Sequence, residues 1–140
     1  MGGVNIGVIS DTHGLMRPEA LDALRGSDLI LHAGDIGAPQ VLEALATIAQ
    51  VTAIRGNNDE LPWARRIPTT VRLEVESISV YMLHNLKELA IEPAHENIQV
   101  VIAGHSHRPS IERRDGVLFL NPGSAGPPLQ AADRRRETRG

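Results

Sequence analysis

The chain has 140 residues, a formal net charge of −3 and no cysteine. This length predicts one domain with a real core, and an aromatic content of 2% means that Val, Ile, Leu and Ala must build that core. The net charge argues against extended DNA or RNA as a main partner, because sequence-independent binding needs a broad basic surface. No apolar run approaches the roughly 18 residues of a membrane span and no signal-type segment opens the chain, so we expect a cytoplasmic protein without a membrane partner.

Three short apolar runs alternate with two helical segments in the first half of the chain. Residues 4–9, 29–31 and 51–54 are typical of buried parallel strands. One helix is predicted from Pro18 to the stop at Gly26, and a second over residues 39–49. This β-α-β-α-β order predicts a parallel sheet with right-handed crossovers, whose functional loops lie at the carboxyl ends of the strands.

The second half has the alternation of an antiparallel sheet. Residues 71–75 and 78–82 alternate apolar and polar side chains around a turn, which predicts a hairpin. A short helix is expected over residues 88–96, followed by an apolar strand over residues 100–103. Residues 111–120 fold about Asp115-Gly116, a strong signal for a two-residue hairpin turn. These strands predict a second sheet.

Side chains that bind metals recur where the predicted strands end. Asp11 and His13 are separated by one residue, so in an extended segment they project to the same side, just beyond the first strand. The second and third strands are followed by a carboxylate and an amide, and two strands of the second sheet are followed by histidines. The full set is Asp11, His13, Asp35, Asn57, His84, His105 and His107.

This donor set indicates a metal site with oxygen and nitrogen ligands. Carboxylate, amide and imidazole without thiolate suit manganese, iron, cobalt or zinc. Seven ligands suffice for two ions, and a two-metal pocket is the usual apparatus of phosphate-ester hydrolysis. The competing interpretation, turn-forming Asp and Asn with scattered histidines, requires a coincidence at five strand ends.

The motifs in their order resemble the calcineurin-like metallophosphoesterase superfamily. The matching blocks are Asp-x-His at 11–13, Gly-Asp at 34–35, Gly-Asn-Asn-Asp at 56–59, His84, and Gly-His-Ser-His at 104–107. The block Asn-Pro-Gly-Ser at 121–124 is similar to the small single-domain YfcE-like phosphodiesterases, to which the retromer scaffold subunit is related. The resemblance implies an α/β sandwich (α+β) of two facing mixed β-sheets flanked by helices. We expect this domain over residues 1–128 and a polar, mobile tail over 129–140.

The resemblance also implies a metal-dependent activity. One ion would be held by Asp11, His13, Asp35 and His107, and the other by Asp35, Asn57, His84 and His105. Asp35 would bridge them, and a bridging hydroxide would attack phosphorus in line. The implied cofactor is two divalent ions, manganese first, with iron, zinc, cobalt or nickel as alternatives. The implied protein is a phosphodiesterase acting on a small phosphate ester; a phosphomonoesterase, or a catalytically weak protein-binding scaffold on the same fold, is the alternative.

Three positions depart from the family pattern or extend it. Asn58 stands in the catalytic position where larger members carry a His that protonates the leaving group; an amide cannot act as an acid, so activated esters should be favoured. Asn85 replaces the usual glycine after His84, which predicts a displaced backbone beside that ligand. Arg17, shortly after His13, is a candidate phosphate contact.

Two further expectations concern packing. The chain continues past the Asn-Pro-Gly-Ser block with a charged segment instead of a further strand, so we expect an open edge at residues 118–121 and a possible homodimer. His32 lies within the second strand, and we expect a core or supporting histidine there instead of a ligand.

Overall fold

The computed structural model describes residues 4–56, 59 and 62–124. The predicted tail, 129–140, lies outside the described residues, as does the end of the predicted domain. Within the described residues no helix is long and apolar enough to cross a membrane.

The first half forms a three-stranded parallel sheet. Its strands are β1 (Ile6–Ile9), β2 (Leu29–His32) and β3 (Gln50–Ala53), in the order β1-β2-β3. The helices α1 (Pro18–Leu24) and α2 (Pro39–Ala46) form the crossovers. The predicted β-α-β-α-β order is confirmed, although α2 ends earlier than the sequence predicted.

The second half forms a mixed five-stranded sheet. Its strands are β4 (Thr70–Val75), β5 (Ile78–Leu83), β6 (Val100–Ile102), β7 (Ser110–Arg114) and β8 (Val117–Asn121), in the order β4-β5-β6-β8-β7. The β4/β5 and β7/β8 pairs are antiparallel, while β6 lies parallel to both β5 and β8. Both predicted hairpins are present, and each turns through two residues with positive φ, as a type I′ turn requires.

The main core lies between the two sheets. Alternate side chains of β1 and β2 pack against alternate side chains of β5, β6 and β8, all of them aliphatic. A second cluster joins the other face of the first sheet to α1 and α2. The sandwich therefore fixes the carboxyl ends of β1, β2, β5 and β6 relative to one another, and six of the seven candidate ligands follow those four strands.

The helix predicted over residues 88–96 is wrong. A single 3₁₀ turn spans Leu86–Glu88, and residues 93–97 form a turn. Pro93 lies within the predicted helix, where it lacks an N–H to donate and disfavours the helical conformation of Glu92. Pro93 therefore prevents the predicted helix.

The expected open edge at residues 118–121 is also wrong. β8 pairs with β6 on one side and with β7 on the other, because the β7–β8 hairpin inserts its second strand into the sheet. Among the described strands β7 holds that edge, and its exposed Glu112, Arg113 and Arg114 oppose pairing with another chain. The homodimer stays a prediction, but an open edge at residues 118–121 no longer supports it.

Candidate metal centre

Hydrogen bonds of the sheets continue past the strand ends and align the loops that carry the candidate ligands. The Asp11 N–H donates to the Gly34 carbonyl over 2.9 Å, and the His13 N–H donates to the Asp35 carbonyl over 3.0 Å. In the second sheet the Gly104 N–H donates to the His84 carbonyl over 2.9 Å. The loops after β1 and β2 are thus paired, and so are the loops after β5 and β6.

A first group of candidate ligand atoms comes from Asp11, His13 and His107, which all lie within 4.8 Å of one another. His107 Nε2 is 3.2 Å from Asp11 Oδ1, and His13 Nε2 is 3.8 Å from the same oxygen. Both histidines are exposed while Asp11 is buried. An ion held here would face solvent on its imidazole side.

A second group comes from Asp11, Asp35 and His84, and it is buried throughout. His84 Nε2 lies 3.2 Å from Asp35 Oδ2 and 3.8 Å from Asp11 Oδ1. Asp11 belongs to both groups, and Asp35 Oδ2 also approaches the first group, at 3.9 Å from His13 Nε2. The His105 ring lies 5.1 Å from the His84 ring, centroid to centroid, outside both groups.

The buried polar atoms of this cluster fit a divalent ion. The His84 Nδ1–H donates to the Ala33 carbonyl over 2.7 Å, which holds the proton on Nδ1 and leaves a lone pair on Nε2. His84 Nε2 and Asp11 Oδ1 are both buried and neither has a hydrogen-bond partner. Unpaired buried acceptors cost free energy, and these two converge on one point as metal ligands do. The donors are carboxylate and imidazole, a set suited to manganese, iron, cobalt or zinc.

His32 supports the site from the core, as the sequence indicated. Its Nδ1 accepts from the Gly34 N–H over 3.1 Å, so Nε2 carries the proton and donates to Thr12 Oγ1 over 3.0 Å. The Thr12 hydroxyl in turn donates to the Ile36 carbonyl over 2.8 Å. Burial lowers the pKa of His32 from 6.5 to about 4, against the opposing charges of nearby carboxylates. The imidazole therefore stays neutral and ties the loop after β1 to the loop after β2.

Removal of the Thr12 hydroxyl is expected to loosen both loops. Thr12→Val leaves a buried imidazole N–H and a buried carbonyl unpaired, which costs about 1–3 kcal/mol of unfolding free energy. Because Thr12 lies between two candidate ligands, the affinity for manganese should fall as well. Thr12→Ser keeps the hydroxyl and is the control. Thermal unfolding and calorimetric metal titration check both effects, and a valine variant equal to wild type in both would contradict the role of this chain of bonds.

Asp59 fixes the loop after β2 from a third direction. Its two carboxylate oxygens accept from the N–H groups of Ile36, Gly37 and Gly56, each over 3.0 Å. Three such bonds to a carboxylate with 3% exposure hold the backbone around Asp35. Gly34 adds a steric condition, because a Cβ there would lie 2.6 Å from His84 Nδ1 and the residue has a φ of +103°.

The Asn-Pro-Gly-Ser segment supports the histidine loop after β6. The Asn121 side-chain amide donates to the Gly104 carbonyl over 2.9 Å and to Ser106 Oγ over 3.0 Å. Ser10 Oγ lies within hydrogen-bond distance of both Asp11 Oδ2, at 2.7 Å, and the Gly123 carbonyl, at 2.9 Å. The segment is therefore more than a turn at Pro122-Gly123, because it also positions the loops that carry candidate ligands.

Five candidate ligands have left-handed backbone conformations. They are Asp11, His13, Asp35, His105 and His107, with φ values between 50° and 71°. Non-glycine residues rarely adopt this region, and such strain is concentrated at functional sites. The conformation also lets the His105 N–H donate to Asp11 Oδ2 over 3.1 Å.

The remaining predicted positions differ in outcome. Asn57 and Asn58 lie outside the described residues. Asn85 has an ordinary φ of −114° and its side chain accepts from the Lys87 N–H, so the backbone beside His84 needs no left-handed residue; the displacement relative to family members stays a prediction. Arg17 is exposed at the N-cap of α1. No sequence pattern indicated the contacts made by Thr12 and Asp59.

Comparison with known proteins agrees with this geometry. Residues 4–137 match the calcineurin-like phosphoesterase superfamily domain. A probable metallophosphoesterase of Methanothermobacter thermautotrophicus is 39% identical over 85% of this chain and 76% of its own length. A phosphodiesterase of Methanocaldococcus jannaschii is 26% identical over 86% of this chain and 83% of its own length. The structure of Vps29 from Entamoeba histolytica with zinc superposes with a TM-score of 0.70, at 25% identity over 85% of this chain and 73% of that one. The chain belongs to the calcineurin-like phosphoesterase superfamily.

Proposed function

We propose that this protein is a dimetal-dependent phosphodiesterase that hydrolyses a small phosphate ester in the cytoplasm. The observation that carries the proposal is the convergence of two buried, unpaired ligand atoms, Asp11 Oδ1 and His84 Nε2, inside a cluster of carboxylates and imidazoles. The similarity to a phosphodiesterase over 86% of the chain supports the reaction class.

The proposed division of labour follows the family resemblance; of the two groups that the structure brings together, both contain Asp11 and only the second contains Asp35. One ion is held by Asp11, His13, Asp35 and His107, and the other by Asp35, Asn57, His84 and His105. Divalent ions bound in such a pair supply a nucleophile from water near neutral pH and screen the charge of the phosphate. The protein fixes the ligands: Ala33 orients the His84 ring, while Asp59 and the Thr12–His32 chain hold the loop that carries Asp35.

The test is hydrolysis by protein that has been stripped of metal and reloaded. Bis(nitrophenyl) phosphate and nitrophenyl phosphate report diesterase and monoesterase activity, and manganese is added first, followed by iron, cobalt, nickel and zinc. We expect activity only after reloading, with the diester preferred. Failure of every ion to support hydrolysis of either ester would overturn the proposal.

A protein-binding scaffold is the second candidate, because Vps29 structures share this fold with TM-scores of 0.70 and 0.71. The retained set of Asp11, His13, Asp35, His84 and His107 within one cluster favours the enzyme. Stoichiometric metal without hydrolysis in the same experiment would favour the scaffold.

A further inference from the structure

Three of the four buried side-chain atoms without a hydrogen-bond partner in the described part of the chain lie around one site. Two of them, Asp11 Oδ1 and His84 Nε2, belong to the candidate metal centre. The third is Nε of Arg55, and the fourth, Trp63 Nε1, lies in the cluster beneath α1 and α2. A metal accounts for the first two atoms, whereas the cationic Arg55 Nε–H is a donor that an anionic acceptor matches best.

Arg55 lines a cavity of about 360 Å³ that shares a wall with the metal centre. His84 forms that wall, and its Nε2 is the atom that lies 3.2 Å from Asp35. Thr69 and Thr70 also line the cavity. The cavity is therefore adjacent to the candidate metal centre, and its lining includes one arginine and two threonines.

The main chain holds Arg55 in place without using its side chain. The Arg55 N–H donates to the Pro68 carbonyl over 2.8 Å, which joins the end of β3 to the start of β4. No residue that the structure describes forms an ion pair with the guanidinium. A buried donor without a hydrogen-bond partner costs free energy. A hydrogen bond to a charged acceptor stabilises the donor more than one to a neutral acceptor.

We propose that Arg55 binds a second oxyanion of the substrate, so that the preferred substrate is a phosphodiester that also carries a phosphate group on its organic part. This inference rests on the proposed phosphodiesterase function. The planar guanidinium suits phosphate oxygens because it offers parallel N–H donors. The Thr69 and Thr70 hydroxyls complete the donor set for the remaining oxygens.

Glu88 is a negatively charged residue in the same cavity as the positively charged Arg55. Its carboxylate lines the same cavity but is exposed to solvent and makes no ion pair with Arg55. Glu88 therefore weakens the binding of an anion without neutralising Arg55. Glu88→Gln should bind phosphate more tightly, while Arg55→Met should lose the site, and this opposition distinguishes an anion subsite from a structural arginine.

In the first test inorganic phosphate is added to metal-free protein. Its binding is monitored by the NMR signal of the Arg55 Nε–H. We expect phosphate to shift this signal in the wild type, at lower phosphate concentration in Glu88→Gln. Arg55→Lys keeps the charge but lacks Nε and the planar fork, so calorimetric titration should show that it binds phosphate more weakly than the wild type. An Arg55 signal that does not respond to phosphate would overturn the inference.

The second test compares two diesters that differ only in a terminal phosphate, using manganese-loaded protein. Arg55→Met should lower kcat/KM by roughly 10- to 100-fold for the phosphorylated diester and leave the other nearly unchanged. Its melting temperature should equal or exceed that of the wild type, because the lost Nε has no partner. An equal loss for both diesters would overturn the inference, whereas absence of all hydrolysis with phosphate binding intact would count against the proposed function alone.

Discussion

Asp35→Asn should abolish phosphoester hydrolysis and strip metal from the protein. Asp35 Oδ2 lies 3.2 Å from His84 Nε2 and 3.9 Å from His13 Nε2, so its carboxylate faces both candidate ligand groups. A neutral amide is a much weaker ligand for a divalent ion than a carboxylate. Loss of a group that only supports a metal ligand typically costs about 10–100-fold in activity, so loss of Asp35, which we propose binds both ions, should exceed that range.

The same substitution should leave the fold intact. Asp35 has a φ of 57°, and Asn is among the few residues that tolerate this left-handed conformation. Asp11 and Asp35 are buried, with 4% and 3% exposure, so without metal their like charges are unfavourable. Removing one charge should make the metal-free variant at least as stable as the metal-free wild type. Circular dichroism and thermal unfolding measure both quantities.

Asp22→Asn is the matched control, because Asp22 is a largely exposed carboxylate on α1 whose ion pair is with Arg25. It should keep wild-type metal content and rate. Metal analysis and nitrophenyl ester hydrolysis complete the comparison. Normal activity of Asp35→Asn would show that the metal assignment is wrong.

The path of the first sheet and the two hairpins of the second could be predicted from the sequence because their signals are local. Apolar runs, proline at helix starts and the two-residue turns each depend on a few neighbouring residues. The carboxyl ends of parallel strands must meet at one edge, which is why strand order alone places Asp11 and Asp35 together. The rule does not fix how the second sheet faces the first, so it was the family resemblance that placed His84 and His107 in the same site.

The supporting contacts could not be predicted, because they join residues that are distant along the chain. Nothing in the spacing of Thr12 and His32 shows that one ring and one hydroxyl meet in the core. The same holds for Asp59, whose partners lie in the loop after β2, and for Arg55, whose cavity is formed with the second sheet. Such pairings depend on which face of each strand is buried and on how the two sheets are placed.

The amide at Asn58 should have a large effect on which esters the protein hydrolyses. The position directly after Asn57 carries a His in larger members of the family, and an amide has no proton to give to a leaving group. General acid catalysis contributes roughly 10²–10⁴-fold, and its absence matters most for a poor leaving group. We therefore expect nitrophenyl diesters to be hydrolysed far faster than alkyl diesters, with a steep dependence of log kcat/KM on leaving-group pKa.

Asn58→His should raise the rate on alkyl diesters, by up to that factor, and change the rate on nitrophenyl diesters little, because a good leaving group needs no proton. The gain should fade as pH rises through the imidazole pKa, which is about 6.5 when unperturbed, since only the protonated ring donates. Asn58→Gln changes the size of the side chain without adding an acid and should keep the steep dependence. Steady-state rates over a series of diesters and pH values measure all three. Equal rates on alkyl and nitrophenyl diesters in the unmodified protein would show that another group already protonates the leaving oxygen.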